Sequence, residues 1–287
     1  MKKLLLTVLA ITMTAGFSLT AASCGKTDDG KTLKVMYVNW ADGVAITNLA
    51  KVILEQHMGY NVELTMADVG PVYASVAQGA QDMFLDAWLP ATHEPYMKKF
   101  GDKLVDLGPN YTGCKLGLVV PTDAPGDAIA DLAGLADSYN GQIVGIDGGA
   151  GIMRQTQQAI EAYNLDVELV QSSETAMLAS LKTAVDKDEP VVVTGWKPHW
   201  KFARWDLRFL DDPKGVYGEA ESIHSIVRTG FEADHPDVTA FLKRFKLTDA
   251  QLSELMAQIK DSDDDPSAVA RAWAKANPEA VKKWLGE

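Results

Sequence analysis

Short runs typical of β-strands alternate with helical segments along most of the chain. A first strand is predicted over residues 33–38, after which Ile46, Leu49 and Ile53 recur at the spacing of one helix face. Further strand-like runs with helical patterns between them lie at 62–66, 83–88, 142–146, 167–170 and 191–194. This alternation predicts an α/β fold, in which a parallel or mixed sheet is flanked by helices.

The strands fall into two series, which suggests two lobes with a ligand cleft between them. A strand predicted at 116–120 is followed by Pro121 and a turn-rich segment, and 223–228 has the pattern of a return strand. Single cores stop growing near ~250–300 residues, so a chain of 287 residues favours division. We expect residues 33–119 plus 225–287 to form lobe I and residues 120–224 to form lobe II.

The amino-terminal segment has the order of a secretory signal peptide. Lysines are followed by an apolar run that is shorter than the ~20 residues of a membrane span, and then by small residues. We expect residues 1–23 to be the signal peptide and 24–32 a tether. The small residues before Cys24 also resemble a bacterial lipoprotein box, although Ala21 stands where leucine is usual. The protein is therefore expected outside the inner membrane, either lipid-anchored through Cys24 or periplasmic.

Charge and cysteine content exclude several classes of function. The formal net charge is −12, which argues against a nucleic-acid partner because phosphate binding needs a basic surface. Two cysteines are too few for a disulfide scaffold or a thiolate metal site. We expect no metal and no cofactor, and membrane contact only through a lipid anchor.

Trp40, Trp88 and Trp196 each follow or end a predicted strand. In open α/β sheets, ligands bind beyond the carboxyl ends of the strands. Indole faces suit a cation that donates no hydrogen bonds, such as a quaternary ammonium group, at ~0.5–2 kcal/mol for each face. For a single tryptophan core packing is the more frequent role, and we assign packing to Trp273 and Trp284.

A glycine-rich turn precedes the helix predicted from residue 152. Its free N–H groups would form an anion site, although a purely structural turn is an equal alternative. A dinucleotide fingerprint fails, because Arg154 stands where the third glycine belongs. His93, five residues after Trp88, could donate to a carboxylate as a neutral or charged imidazole. For His199, a local structural hydrogen bond is a stronger interpretation than a ligand contact.

Five motifs together resemble those of the glycine betaine-binding proteins of ABC importers. They are Tyr-Val-Asn-Trp (37–40), Asp-Ala-Trp-Leu-Pro-x-Thr-His (86–93), Gly-x-Gly-Ile-Met (149–153), Thr-Gly-Trp-x-Pro-His-Trp (194–200) and Glu-Ser-Ile-His (221–224). The resemblance runs from about residue 33 to 285. Cys114 and Gly148 depart from the usual pattern, and the glycine could loosen the anion loop.

This resemblance implies a two-lobe periplasmic-binding-protein-like fold and a role for six residues. A trimethylammonium group would sit in a prism of Trp40, Trp88 and Trp196, and a carboxylate would be held by the N–H groups of Gly151 and Ile152. His93, the sixth residue, would assist at the carboxylate.

The expected function is capture of glycine betaine, or a close betaine such as proline betaine, for delivery to an ABC permease in osmoprotection. One alternative is a choline, carnitine or sulfonium-betaine binder of the same fold. Another is a periplasmic enzyme acting on a small cationic substrate, with Asp86, His93 or Cys114 in catalytic roles. Neither a nucleophile elbow nor a His-Glu-x-x-His motif occurs, so we expect no enzyme.

Overall fold

The computed structural model describes residues 31–287, so the predicted signal peptide and Cys24 lie outside the described residues. The strands are β1 (Thr32–Tyr37), β2 (Asn61–Met66), β3 (Met83–Leu89), β4 (Leu104–Pro121), β5 (Gln142–Val144), β6 (Glu168–Val170), β7 (Val193–Lys197), β8 (Leu207–Phe209) and β9 (Glu221–Arg228). The helices are α1 (Ala41–Met58), α2 (Val69–Ala77), α3 (Glu94–Phe100), α4 (Leu132–Leu135), α5 (Gly151–Tyr163), α6 (Glu174–Asp186), α7 (Lys201–Arg204), α8 (Phe231–Asp234), α9 (Pro236–Arg244), α10 (Asp249–Asp261), α11 (Pro266–Ala276) and α12 (Pro278–Leu285). Within these residues no helix is both long and apolar enough to cross a membrane.

The strands form one curled mixed sheet in the order β2-β1-β3-β9-β4-β7-β5-β6, with β8 beside β4. We call β1, β2, β3, β9 and the start of β4 the first half of the sheet, and the end of β4 with β5–β8 the second half. Within each half, the βα units are joined by parallel pairs, β1 with β2 and β5 with β6. The predicted mixed α/β class is therefore confirmed.

Strand β4 belongs to both halves and is much longer than predicted. Its residues 104–114 pair antiparallel with β9, whereas residues 115–119 pair antiparallel with β7. The prediction covered only 116–120, because Gly108, Pro109 and Gly113 resemble turn residues. In the structure they lie where the β4–β9 register shifts, and both glycines have positive φ (96° and 87°), as β-bulges require.

The first half of the sheet carries the larger core. All seven residues of β3 are buried, and the 18-residue helix α1 packs on this strand. Gly59 ends α1 in the left-handed conformation (φ 72°). A capping box of Thr248 and Gln251 begins α10.

Four of the tryptophans pack away from the strand ends at which a ligand is predicted to bind. Trp273 on α11 and Trp284 on α12 are both buried, with ring centroids 6.3 Å apart and nearly parallel, which confirms their predicted packing role. Trp200 and Trp205 contact each other at 5.6 Å beside α7. The remaining three tryptophans occupy a different environment.

Candidate functional site

All six residues predicted to contact a ligand line one small cavity. The lining residues are Trp40, Trp88, Thr92, His93, Leu116, Ile146, Ala150, Gly151, Ile152 and Trp196. The cavity lies between the two halves of the sheet, because β3 supplies Trp88 whereas β7 supplies Trp196. Its wall is mainly aromatic and aliphatic, with few polar groups.

The three cavity tryptophans hold slightly different positions from those predicted. Trp88 and Trp196 are each the last residue but one of their strands. Trp40 lies three residues beyond the end of β1 and is the capping residue of α1, because β1 ends at Tyr37. The chain turn at 38–40 nevertheless brings the Trp40 ring to the same cavity.

Buried carboxylates fix the indole rings by accepting their N–H groups. Trp88 Nε1 donates to Asp42 Oδ2 (3.2 Å) and to Asp86 Oδ1 (3.0 Å). Trp196 Nε1 donates to Asp42 Oδ1 over 3.0 Å. Because the polar edges of these rings are satisfied outside the cavity, the rings offer it their apolar faces and negative quadrupoles.

Asp42 and Asp86 form a fully buried pair behind Trp88. Burial and the neighbouring Asp42 charge raise the pKa of Asp86 well above its usual range. Burial raises the pKa of Asp42 as well, but its indole donors act in the opposite direction. We assign one proton to this pair, on Asp86, and a negative charge to Asp42. Gly43 makes room for the pair, since a Cβ there would lie 2.6 Å from Asp86 Oδ2.

Trp40 is anchored from the other half of the sheet. Its Nε1 donates to Asp147 Oδ2 over 3.2 Å, and Asp147 belongs to the turn before α5. The adjacent backbone N–H of Ala41 donates to Glu174 Oε2 on α6 over 3.0 Å. Polar contacts therefore connect the start of α1 to the turn before α5 and to α6.

His93 is a neutral, fully buried donor at the cavity. Its Nδ1 accepts the backbone N–H of Trp88 over 3.0 Å. Burial lowers the pKa of His93 to about 3, so the ring is neutral at pH 7 and its proton lies on Nε2. No residue of the described chain accepts from this buried Nε2. The structure thus decides in favour of the neutral form, and leaves one N–H for an acceptor in the cavity.

The amino terminus of α5 brings two more donors to the cavity. Gly151 and Ile152 are the first residues of this 13-residue helix, and their N–H groups donate to no other residue of 31–287. Such groups, together with the helix dipole, favour an anion. A Cβ on Gly151 would lie 2.4 Å from the carbonyl oxygen of Thr92, so only glycine permits this approach.

Glu221 holds the loop that carries Thr92 and His93. Its Oε2 accepts the backbone N–H groups of Ala91 and Thr92, each over 3.0 Å. Because Glu221 begins β9, the strand that also pairs with β4, the loop is tied to the centre of the sheet. This contact gives the Glu-Ser-Ile-His motif a structural role.

Two other predicted candidates lie outside the cavity. His199 contacts Glu174 Oε1 through Nε2 over 3.1 Å, in agreement with its structural interpretation. Cys114 is a buried free cysteine, and burial raises the pKa of its thiol far above the ordinary value. It therefore carries no thiolate at neutral pH.

Three buried polar groups behind the aromatic wall were not predicted from the sequence: Asp42, Glu174 and Lys201. Asp42 and Lys201 stand two and five residues after cavity tryptophans, but this spacing alone does not show that their side chains turn inward. A clearer signal was Asp86, a charged residue inside an apolar strand.

The curled two-half sheet and the aromatic cavity between its halves define the class of two-lobe substrate-binding proteins. Residues 31–276 match the family model OpuAC, described as the substrate binding domain of ABC-type glycine betaine transport systems. The chain belongs to this family. The predicted fold and family are thus both confirmed, and the family consists of transport proteins rather than enzymes.

Individual relatives agree with this assignment. The glycine betaine/carnitine transport binding protein GbuC of Listeria monocytogenes is 48% identical over 166 residues, which is 57% of this chain and 54% of GbuC. The match thus spans about half the length of that relative.

Solved structures match over nearly the whole described chain. Lactococcal OpuAC, in its closed conformation with glycine betaine, is 35% identical, with a TM-score of 0.84 over 89% of this chain and 99% of that one. ProX of Borrelia burgdorferi is 39% identical, with a TM-score of 0.85 over 88% and 96%. A choline-binding protein in complex with choline is 29% identical, with a TM-score of 0.83 over 89% and 92%.

Proposed function

We propose that this protein captures glycine betaine, or a close betaine such as proline betaine, and delivers it to the permease of an ABC importer for osmoprotection. The observation that carries the proposal is one cavity with two chemically distinct ends. Trp40, Trp88 and Trp196 form an aromatic end, whereas His93 and the start of α5 bring unpaired N–H donors. A zwitterion of one length satisfies both ends.

The aromatic end fits the methylated cation. A trimethylammonium group donates no hydrogen bond, so no N–H is left unsatisfied when it contacts the indole faces, at ~0.5–2 kcal/mol for each ring. An unmethylated amino acid would leave N–H donors unsatisfied against the same faces, which disfavours it more than a missing contact would. The Asp42 charge behind Trp88 and Trp196 adds attraction for a cation.

The donor end fits the carboxylate. The N–H groups of Gly151 and Ile152 and the Nε2–H of His93 would each contribute a charge-assisted hydrogen bond of ~1.5–3 kcal/mol. Together with the rings, these bonds contribute ~6–15 kcal/mol before the cost of association is subtracted, a range that includes the ~8 kcal/mol of micromolar affinity. The same donors favour a betaine over choline, which lacks a carboxylate.

Binding would close two lobes, for which we keep the division into residues 33–119 plus 225–287 and 120–224. Trp40 and Trp88 would come from lobe I, and Trp196 with Gly151 from lobe II. The bonds Trp196–Asp42 and Trp40–Asp147 then join the lobes and form on closure. The closed form would be the one presented to the permease.

We further propose that the chain is exported through residues 1–23 and held at the membrane surface through lipidated Cys24, with the soluble periplasmic form as the alternative. A catalytic role is disfavoured, because the thiol of Cys114 is buried and protonated and Asp86 is engaged by Trp88. Recovery of intact betaine, choline and carnitine by mass spectrometry after incubation with the protein would support pure binding.

The test of the proposed function is a calorimetric titration with glycine betaine, proline betaine, carnitine, choline and unmethylated glycine. We expect the betaines to bind most tightly and glycine not at all. Trp196→Ala should abolish binding, whereas Trp205→Ala, which removes an indole outside the cavity, should not. Unchanged affinity in Trp196→Ala would refute the aromatic site.

A further inference from the structure

We infer that Lys201 sets the affinity of the cavity for cations: it weakens cation binding from the outer face of Trp196 and makes the affinity for a betaine rise with pH. The inference rests on the proposed function and adds a residue that contacts no ligand. It starts from a buried lysine whose amino group lies over the rings of Trp196 and Phe202 and has no hydrogen-bond acceptor within the described chain.

Lys201 begins α7 and is fully buried. Its Nζ lies over the Trp196 ring, 4.3 Å from the centroid, and within the described chain it has no hydrogen-bond partner. Trp196 lines the cavity and Lys201 does not. The indole therefore separates the amino group from the cavity, and a bound trimethylammonium group would occupy the opposite face of the same ring.

Two cations on opposite faces of one indole oppose each other. Both cations are attracted by the same ring quadrupole. Lys201 Nζ lies 4.3 Å from the ring centroid and a bound cation would lie ~6 Å from it on the other face, so the two charges would repel each other over about 10 Å. At an effective dielectric constant near 20, that repulsion corresponds to about tenfold in affinity. A neutral amine at Lys201 removes this repulsion, so the cavity binds cations more tightly once the proton is lost.

The surroundings let this proton leave near neutral pH. Burial lowers the pKa of Lys201 to about 7, against the opposing influence of Glu174 on α6 and Asp42 on α1. Burial raises the pKa of Glu174 itself to about 8. His199, whose Nδ1 accepts the backbone N–H of Lys201, stays neutral because burial lowers its pKa well below 6.5.

The sign of the pH dependence is the same for every titrating neighbour. As pH rises from 6 to 9, Lys201 loses a positive charge and Glu174 gains a negative one, and each change favours a bound cation. Asp86, protonated beside Asp42, acts in the same direction if it titrates. Variants are therefore needed to assign the effect to Lys201.

The experiment measures the affinity of the full protein for glycine betaine by calorimetry at pH 6, 7, 8 and 9. At pH 7 it is repeated in two buffers of different ionisation enthalpy, so that the protons released on binding are counted. We expect about a tenfold rise in affinity across this range and proton release at pH 7. Lys201→Met should bind about tenfold more tightly than wild type at pH 6 and release fewer protons.

Two controls separate charge from packing. Lys201→Arg keeps a positive charge at every pH, so its affinity should rise with pH less than that of the wild type, by only the part that Glu174 contributes. Lys197→Met removes an exposed ammonium that lies over Phe202 rather than Trp196, and should leave the pH profile unchanged. Should Lys201→Met fail to fold, the arginine variant still tests the inference.

The outcomes distinguish this inference from the proposed function. A protein that binds no betaine at any pH overturns both. Betaine binding with a flat pH profile, or with proton release unchanged in Lys201→Met and Lys201→Arg, overturns the role of Lys201 alone.

Discussion

Trp196 and Asp42 are 154 positions apart in the sequence, yet the indole Nε1 of Trp196 donates to the Asp42 carboxylate over 3.0 Å. The other oxygen of Asp42 accepts from Trp88, on the opposite half of the sheet. One buried carboxylate thus orients two walls of the cavity at once. The geometry of the aromatic site depends on this residue as much as on the tryptophans.

Replacement of Asp42 by asparagine should weaken binding of glycine betaine at least about tenfold. The amide has one acceptor oxygen, so one of the two indole hydrogen bonds to residue 42 is lost, and the negative charge behind the rings disappears. A charge-assisted hydrogen bond is worth ~1.5–3 kcal/mol. Calorimetry gives the affinity, and thermal unfolding monitors stability. Asp147→Asn, at the half-buried bond to Trp40, should have a smaller effect; equal effects of the two variants would contradict this prediction.

His93→Leu should reduce the affinity for glycine betaine about tenfold or more while leaving choline affinity nearly unchanged. Leucine removes the Nε2–H that is free to donate to a carboxylate. Choline has no carboxylate, so its binding does not depend on this hydrogen bond. The ratio of the two dissociation constants is the readout, because a general loss of folding would lower both affinities together. A proportional loss for both ligands would argue against the proposed donor role.

The His93 contribution should also be constant over ordinary pH. With a pKa of about 3, the ring is already neutral at pH 8 and remains so at pH 5. Protonation, which would place a charge in a buried site, begins only as pH falls toward 3. Any rise of affinity between pH 6 and 9 should therefore persist in His93→Leu.

Gly151→Ala should lower betaine affinity about ten- to hundredfold. The added Cβ would lie 2.4 Å from the Thr92 carbonyl oxygen, and the backbone must separate there, at ~1–3 kcal/mol. Gly134→Ala is the matched control, since a Cβ at that position meets nothing within 4 Å. Two measurements report closure: the affinity from calorimetry, and the radius of gyration of the liganded protein from small-angle scattering. Wild-type values in Gly151→Ala would refute the steric argument.

The ion pair between Arg204 on α7 and Asp261 on α10 should assist closure slightly. Its atoms lie 2.7 Å apart, but both side chains are about half exposed, so the pair is worth ~0.2–1 kcal/mol. Asp261→Asn should therefore weaken binding up to about fivefold in dilute buffer. The difference should vanish near 1 M salt, where the screening length is ~3 Å.

A suitable control for that pair is Glu232→Gln, which breaks an equally exposed ion pair with Lys243 between α8 and α9. This contact joins elements on one side of the cavity, so its loss should not change affinity. A salt-independent effect of Asp261→Asn would indicate a cause other than the ion pair.

The sequence predicted those parts of the site that depend on local patterns. Trp88 and Trp196 were predicted because their strands are clear apolar runs in the sequence. Gly151 was predicted because a glycine-rich turn before a helix is a local pattern. Asp42 was missed because its indole partners lie 46 and 154 positions away in the chain, and Lys201 because its spacing from Trp196 does not show that its side chain turns inward. Helical spacing gives no indication of which buried carboxylate meets which indole.

The same reasoning explains the short prediction for β4. Gly108, Pro109 and Gly113 favour turns when only neighbours are considered, but pairing with β9 converts them into bulges. Those pairs join residues more than a hundred positions apart, Leu104 with Arg228 for example, and leave no periodic pattern in the sequence. Pairing with the distant strand β9 therefore determines the conformation of these residues, against their local preference for turns.

Strand β4 also bears on how the molecule denatures. Its 18 residues give hydrogen bonds to β9 at one end and to β7 at the other, so neither half of the sheet can melt without exposing a strand edge of its neighbour. The two lobes that we propose to close on a solute are therefore expected to lose their structure together, in a single cooperative transition with one midpoint in urea or heat.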